Sequence, residues 1–332
     1  METVVSGIRP TGHLHLGNYF GAVKNFLTMQ ETHRCFFFVA DYHSLTTHPH
    51  PDHLQTSVKH VLAENLACGL DPDKCTLYVQ SDLPETTELY LLLNMISYVG
   101  ELERSTSFKD KIRQNPDNVN AGLLTYPVLM AADILIHRAL KVPVGKDQEQ
   151  HLEMTRNFAQ RFNNLYGTEF FPMPTAFNFG SNLVKVAGLD GSGKMGKSEG
   201  EGNAVFLVDE PDVVRKKVMR AVTDSGPTQL NQTKPDVIAN VFSLMQLVSK
   251  PETVQHFDDA YNNMTIRYGD MKKQLAEDMV AFTNPIREKI NAILSDQKYL
   301  DKVTSQGAEK ARESARKTVQ EVRGMIGMKK IY

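Results

Sequence analysis

Residues Cys35–Ala40 read CFFFVA, an unbroken apolar run with no alternation. A strand of this kind is apolar on both faces. It can be buried only in a sheet covered on both sides, the situation of a parallel sheet between layers of helix. Shorter β-rich runs stand at Thr3–Val5 and Thr76–Gln80, each followed by a polar or Gly/Pro-containing break. Helix-period segments such as Pro51–Cys68 and Thr86–Tyr98 lie between and after these runs. Strands alternating with helices predict a Rossmann-like α/β domain built on a parallel sheet. From about Pro211 the pattern changes to amphipathic helical segments, at Asp212–Val222, Asp236–Val248, Thr253–Tyr261, Met271–Thr283, Pro285–Leu294 and Ala308–Gly324. They predict an all-helical C-terminal domain.

Six glycines (Gly188, Gly191, Gly193, Gly196, Gly200 and Gly202) mark the change of pattern. They read as a loop at a domain boundary, dividing the 332 residues into 1–204 and 205–332. That length suits about two domains. The formal net charge of −2 gives no global sign of nucleic-acid binding. A local basic excess over residues 291–332 is compatible with phosphate contacts and also with a solvated face. Cys35, Cys68 and Cys75 include no Cys-x-x-Cys pair, which argues against a disulfide framework and a structural zinc site and predicts no bound metal of that type. The cysteine usage fits a reducing cytosol. The N-terminus METVVSGIRP lacks a basic segment followed by an apolar run, and no uncharged run is long enough for a membrane span.

Residues Gly191–Ser198 read GSGKMGKS and satisfy the phosphate-loop pattern G-x-x-x-x-G-K-[ST] at every required position. That pattern works only where a strand turns into a helix whose N-terminus receives the phosphates. Leu183–Ala187 could supply the strand. Downstream stands EGEGNAVFLVDEP, and Gly200 and Gly202 in a first helical turn would cost about 2 kcal/mol against alanine. A nucleoside-triphosphatase loop is therefore disfavoured. A flexible loop whose Lys194 and Lys197 close over a polyphosphate remains, beside a plain solvated linker.

A second phosphate element lies at Ser6–Phe20, SGIRPTGHLHLGNYF. It follows the first strand and leads into a helical segment, Tyr19–Met29. The turn at Gly17-Asn18 would place backbone N–H groups at the carboxyl edge of the sheet, where open α/β folds bind nucleotides. His13 and His15 would point the same way if the turn is extended, one of them donating to a phosphate; alternatively they cap the helix. Residues Gly122–Leu140 read GLLTYPVLMAADILIHRAL. Pro127 suits a first helical turn. Tyr126, Met130, Asp133 and His137 then share one stripe, while Leu124, Val128, Ala131 and Leu135 face the other way. Asp133 is an acid in an apolar helix, so it needs a partner, either a protein donor or a ligand.

Taken together, P-T-G-x-x-H-x-G-N at Pro10–Asn18 and K-M-G-K-S at Lys194–Ser198 resemble the HIGH and KMSKS signatures of class I aminoacyl-tRNA synthetases. Gly196 stands where that family usually has Ser, and this one change completes the phosphate-loop pattern. TYPVLMAADIL, ELERSTSFKDK (Glu101–Lys111), VPVGKDQ (Val142–Gln148) and AVTDS (Ala221–Ser225) resemble the tryptophanyl branch of bacterial type, over the whole chain and in the same order. The resemblance implies an enzyme that joins tryptophan to tRNA(Trp), with ATP as co-substrate and Mg²⁺ accompanying it.

It also implies residue roles. Asp133 accepts the indole N–H and Met130 packs on the ring. His43, Tyr126 and Gln148 hold the amino acid's polar end, and Val5, Val142 and Val144 line the pocket. Arg9, Pro10, Thr11, Gly17, Asn18, Gly145, Lys146 and Asp147 surround ATP, with Val186 at the adenine and the loop Lys194, Met195, Gly196, Lys197 and Ser198 over the phosphates. His15, Asn18, Lys194 and Lys197 serve the chemistry. Lys146 replaces an acidic residue common there. A homodimer through about 85–140, final helices packed back on the catalytic domain, an anticodon-reading C-terminal domain and a cytoplasmic location are further implications. The rivals are the tyrosyl enzyme, which usually has Gln at the position of Met130, and a synthetase-like protein that binds tryptophan or RNA without aminoacylating.

Overall fold

The computed structural model describes residues 1–145, 148–177, 186–191, 193–196 and 202–328. Five parallel strands form one sheet: β1 (Thr3–Ile8), β2 (Arg34–Val39), β3 (Thr76–Val79), β4 (Lys141–Val142) and β5 (Thr175–Ala176), in the order β3-β2-β1-β4-β5. β1 and β2 pair from Thr3 opposite Arg34 to Ile8 opposite Val39. The unalternating run behaves as its composition requires. Phe36 and Phe38 enter the core on one face of β2, and Cys35, Phe37 and Val39 enter the core on the other. Each fully buried phenylalanine contributes about 1.5–3 kcal/mol relative to exposure.

One face is covered by the helices Pro84–Asn94, Tyr126–Leu135 and Glu149–Leu165, together with the inner side of the last helix, Gln297–Met325. The other is covered by Pro51–Cys68 and by Phe26 and Met29 of the first helical segment. That segment runs from Leu16 to Met29 and includes a π turn at Tyr19–Val23. The last helix approaches β3 closely. A Cβ on Gly307 would come within 1.7 Å of the Leu77 carbonyl oxygen, so only glycine allows this contact.

The C-terminal region is helical, as expected, but its segmentation differs. Met271–Thr283 and Pro285–Leu294 form one helix, Tyr268–Ser295, with Pro285 inside it. An interior proline costs about 3 kcal/mol. Burial of Met271, Leu275, Met279 and Ile290 on both sides of it outweighs that cost. The anticipated strand at Leu183–Ala187 falls mostly outside the described residues, and Val186 and Ala187 are irregular. Among the described residues no helix stands between the glycine cluster and Pro211–Met219; Lys197 to Gly200, where a phosphate-loop helix of the triphosphatase type would begin, lie outside them.

Candidate active site

The strand order reverses between β1 and β4, with β2 and β3 on one side and β4 and β5 on the other. Such a reversal opens a crevice at the carboxyl ends of the strands. A cavity of about 260 Å³ lies there. β1 contributes Val5, Ser6 and Gly7, β2 contributes Phe38, and β4 contributes Val142. The helix Tyr126–Leu135 adds Tyr126, Met130, Asp133 and Ile134, and Arg9, Ala40, His43, Pro143, Val144, Gly145 and Gln148 complete the lining. All eight residues that the family resemblance grouped around the amino acid therefore meet in one cavity.

Asp133 is 3% exposed. The His43 Nε2–H donates to its Oδ2 at 2.7 Å, and the Gln80 side-chain amide donates to Oδ1 and Oδ2 at 2.8 and 2.9 Å. Burial pushes the Asp133 carboxyl above the usual carboxylate range, while His43 and Gln80 pull the other way. A carboxylate offers about four acceptor positions. These bonds occupy three, leaving Oδ1 able to accept one more N–H. The sequence suggested that Asp133 needs a partner; the structure supplies two protein donors and keeps one acceptor position.

Gln80 was not anticipated. It closes the short strand run of β3, and a polar residue ending an apolar strand at the carboxyl edge is the signal that marks it. His43 engages Asp133 through Nε2, while its buried Nδ1 has no hydrogen-bond partner among the described residues. Its ring lies 4.4 Å from that of Tyr126, which lies 5.5 Å from His151. The His151 ring reaches Gln148 Oε1 at 2.9 Å and Ser107 Oγ at 2.7 Å. His151 and Ser107, also unanticipated, thus brace Tyr126 and Gln148 from behind. His137, expected on the Asp133 stripe, does not line the cavity. The helix ends at Leu135, Arg138 takes a left-handed φ of 49°, and the His137 ring stacks on Phe36 at 3.9 Å.

The phosphate turn is built differently. His15 caps the helical segment: its ring accepts from the Asn18 N–H at 3.3 Å, and Asn18 Oδ1 accepts from the His15 N–H at 3.1 Å. His13 and His15 do not act together. The His13 Nδ1 meets Glu64 at 2.6 Å, while the His15 ring lies against Phe206. The backbone of 14–16 pairs with a segment nearly two hundred residues later, Leu16 N–H donating to Val205 and Leu207 N–H to Leu14. The described part of the lysine loop docks beside it. Met195 is buried and donates its N–H to the Val186 carbonyl at 2.7 Å. A Cβ on Gly17 would come 3.3 Å from the Met195 carbonyl oxygen. The two phosphate elements are therefore in contact.

Lys194 is exposed, Gly196 is half-buried, and Val186 is buried beside Met195, away from the cavity lining. Arg9 lines the cavity with a buried Nε that has no hydrogen-bond partner among the described residues. Pro10 is buried next to it, and the Thr11 N–H donates to the Arg9 carbonyl. Lys146, Asp147, Lys197 and Ser198 lie outside the described residues.

A parallel sheet with a switch-point cavity, a capped turn after β1 and a lysine loop docked on that turn define a nucleotide-using class I synthetase fold. Residues 2–284 match the family described as tRNA synthetases class I (W and Y), and the chain belongs to it. Within the family its similarity is to the tryptophan branch. The tryptophan--tRNA ligase of Porphyromonas gingivalis is 64% identical over 99% of this chain and 100% of its own. That of Helicobacter pylori is 41% identical over 98% and 99%. Among solved structures, tryptophanyl-tRNA synthetase from Campylobacter jejuni complexed with ADP and tryptophan superposes with a TM-score of 0.90, at 35% identity, over 98% of this chain and 100% of that one.

Proposed function

We infer that this protein is a tryptophan--tRNA ligase. It activates L-tryptophan with ATP and transfers the tryptophanyl group to the 3′ end of tRNA(Trp). The observation that carries the reading is Asp133: a buried carboxylate oriented by His43 and Gln80, with one acceptor position left, in the cavity at the switch point beside Met130, Val142 and Val144. An indole N–H is a single donor at the edge of a wide apolar ring, and Met130 is a soft partner for that ring.

In the first step a tryptophan carboxylate oxygen attacks the α-phosphorus of ATP. The bond from that phosphorus to the bridging oxygen breaks, and pyrophosphate leaves. In the second, a ribose hydroxyl of the tRNA terminus attacks the carbonyl carbon of the adenylate, releasing AMP. No protein nucleophile is needed, so catalysis rests on positioning and charge stabilisation. The cysteines fit that division of labour: burial pushes all three thiols up to about 12, far from thiolate chemistry.

Tyr126 and Gln148 hold the polar end of tryptophan, and His43 acts through Asp133 at the indole end. Val5, Val142 and Val144 line the pocket. Arg9, Pro10, Thr11, Gly17, Gly145, Lys146 and Asp147 surround ATP, with Val186 towards the adenine. His15 and Asn18 hold the phosphates from one side, and the loop Lys194–Ser198 closes from the other. Mg²⁺ comes as part of the ATP substrate. Asp133 is the only carboxylate among the described lining residues and already accepts from two protein donors, so it offers the ion no place.

Residues 205–332 read the anticodon. A second copy of the chain covers the exposed apolar residues Leu91, Met95, Tyr98 and Val99 within the segment 85–140, which light scattering would show as a dimer mass. No helix among the described residues is long and apolar enough to cross a membrane, and the reading places the protein in the cytoplasm.

The test is amino-acid-dependent ATP–pyrophosphate exchange with tryptophan, tyrosine and phenylalanine. Exchange with tryptophan alone is expected. Exchange with tyrosine instead would transfer the assignment to the neighbouring branch. Tryptophan binding without exchange would make this a binding protein.

A further inference from the structure

Behind the phosphate turn lies a cluster that the catalytic reading does not use. His60 and Glu64 are one helical turn apart on Pro51–Cys68, and so share a face of that helix. His13 reaches them from the turn after β1. The ligand-capable atoms of the three residues all lie within 4.8 Å of one another. His13 Nδ1 is 2.6 Å from Glu64 Oε1, and His60 Nδ1 is 4.0 Å from the same oxygen. The two imidazoles meet edge to face at 4.7 Å between centroids.

Three features separate this cluster from an ordinary hydrogen-bonded group. Glu64 is fully buried, and its second oxygen is held by the Leu14 N–H, leaving Oε1 oriented towards both histidines. His60 Nδ1 is buried with no hydrogen-bond partner among the described residues. No lysine or arginine completes an ion pair with Glu64 among the described residues.

We propose that His13, His60 and Glu64 form a binding site for one divalent transition-metal ion of the zinc class. Two imidazole nitrogens and one carboxylate oxygen form a donor set that suits zinc, with water as the fourth ligand. Bonds of about 2.1 Å in a tetrahedron place ligand atoms about 3.4 Å apart. The pair at 2.6 Å must open and the pair at 4.0 Å must close, and side-chain rotations of this size leave the backbone in place. The Leu14 N–H then supplies the second-shell bond that orients the carboxylate. Since His13 and Leu14 lead directly into the His15–Asn18 cap, the ion pins the phosphate turn to the helix beneath it. The site contains no cysteine and joins residues 13 and 60–64 through the fold.

The test requires neither ATP nor tRNA, so its outcome is independent of the catalytic reading. The full chain is stripped with chelator and dialysed against Zn²⁺, and Co²⁺ is titrated in parallel while its visible absorption is followed. One tightly held Zn²⁺ per chain, a four-coordinate Co²⁺ spectrum and a higher melting temperature with Zn²⁺ than with chelator are expected. Both His13→Ala and His60→Ala should lose affinity by more than about 100-fold, beyond the loss typical of a second-shell change, while His50→Ala should keep it. The His60 side chain is 28% exposed while Glu64 is fully buried, so His60→Ala is expected to leave the fold intact even if Glu64→Gln does not. Absence of stoichiometric Zn²⁺, or binding undiminished in His60→Ala, overturns the proposal.

Discussion

The cavity proposed for the amino acid and the turn proposed for the phosphates both follow β1 at the carboxyl edge of the sheet but are held in opposite ways. The cavity is fixed by buried side chains. His43 and Gln80 hold Asp133, and Ser107 and His151 hold Gln148, with Asp133 and His151 on the two helices Tyr126–Leu135 and Glu149–Leu165 that cover one face of the sheet. The turn is fixed by backbone: a helix cap, two main-chain bonds to Val205 and Leu207, and the approach of Met195 to Gly17. Rigid side-chain networks discriminate between ligands, because an unsuitable ligand leaves them unsatisfied. Backbone contacts carry no such selectivity but allow a loop to come and go over a polyphosphate. Specificity and activation should therefore fail separately.

The largest expected effect lies in the cavity. A site built to receive an N–H should reject phenylalanine by about 10⁴–10⁵ in kcat/KM, measured by pyrophosphate exchange. Asp133→Ala removes the acceptor and strands the donors of His43 and Gln80. It should erase most of that discrimination by collapsing the tryptophan value while leaving the ATP dependence alone. A variant that still rejects phenylalanine as strongly would move specificity away from Asp133.

On the turn side, Lys194→Ala should slow activation by about 2.7–4 kcal/mol, roughly 10²–10³-fold, with tryptophan binding in a calorimeter unchanged. If tryptophan affinity falls with the rate, the two regions are not separable and the comparison breaks.

How far these regions could be read from sequence follows the same division. Asp133 stood out because an acid in an apolar helix demands a partner. The two-faced burial of Phe36 and Phe37 was legible because β2 does not alternate. His151 was not, since it breaks no local pattern, and Gln80 showed only as a polar residue at a strand end, its role coming from Asp133 on another element. The pairing of 14–16 with 205–207 was hidden more deeply: backbone hydrogen bonds between distant segments leave no side-chain signature. His137 turns to Phe36 and Tyr78 instead of the cavity, a choice that a 3.6-residue period does not decide. Pro285 misled in the opposite sense, because a strong local breaker was overruled by packing on both sides.

Between the two regions and the C-terminal helices stands a contact that tests how far the sheet depends on the last helix. Gly307→Ala would put a methyl group 1.7 Å from the Leu77 carbonyl oxygen, against backbone that cannot rotate aside. Overpacking of this kind costs about 1–3 kcal/mol, to be read from the midpoint of urea unfolding. Gly324→Ala in the same helix has open space around it and should be neutral or slightly stabilising through helix propensity. Equal effects at the two positions would mean that the helix does not bear on β3.

The smallest effect per step concerns acid. Burial, with a lesser contribution from Arg34, lowers the His137 pKa from 6.5 to about 3. The unfolded chain takes up a proton below about pH 6.5 and the folded chain does not. A group with a depressed folded pKa contributes stability that is fully present above its unfolded value and is lost as pH falls towards its folded value. The loss is about 1.4 kcal/mol for each pH unit between those limits. His137 lies behind the cavity, stacked on Phe36 and bonded to the Tyr78 hydroxyl at 3.0 Å, so the loss strikes the core beneath the pocket rather than the turn. The measurement is unfolding free energy at pH 6.5, 5.5 and 4.5 for the parent chain and His137→Gln, which cannot titrate. The variant should be less stable at pH 6.5 yet show a shallower decline. Parallel curves would mean that the acid sensitivity arises elsewhere and that His137 is protonated without unfolding the site.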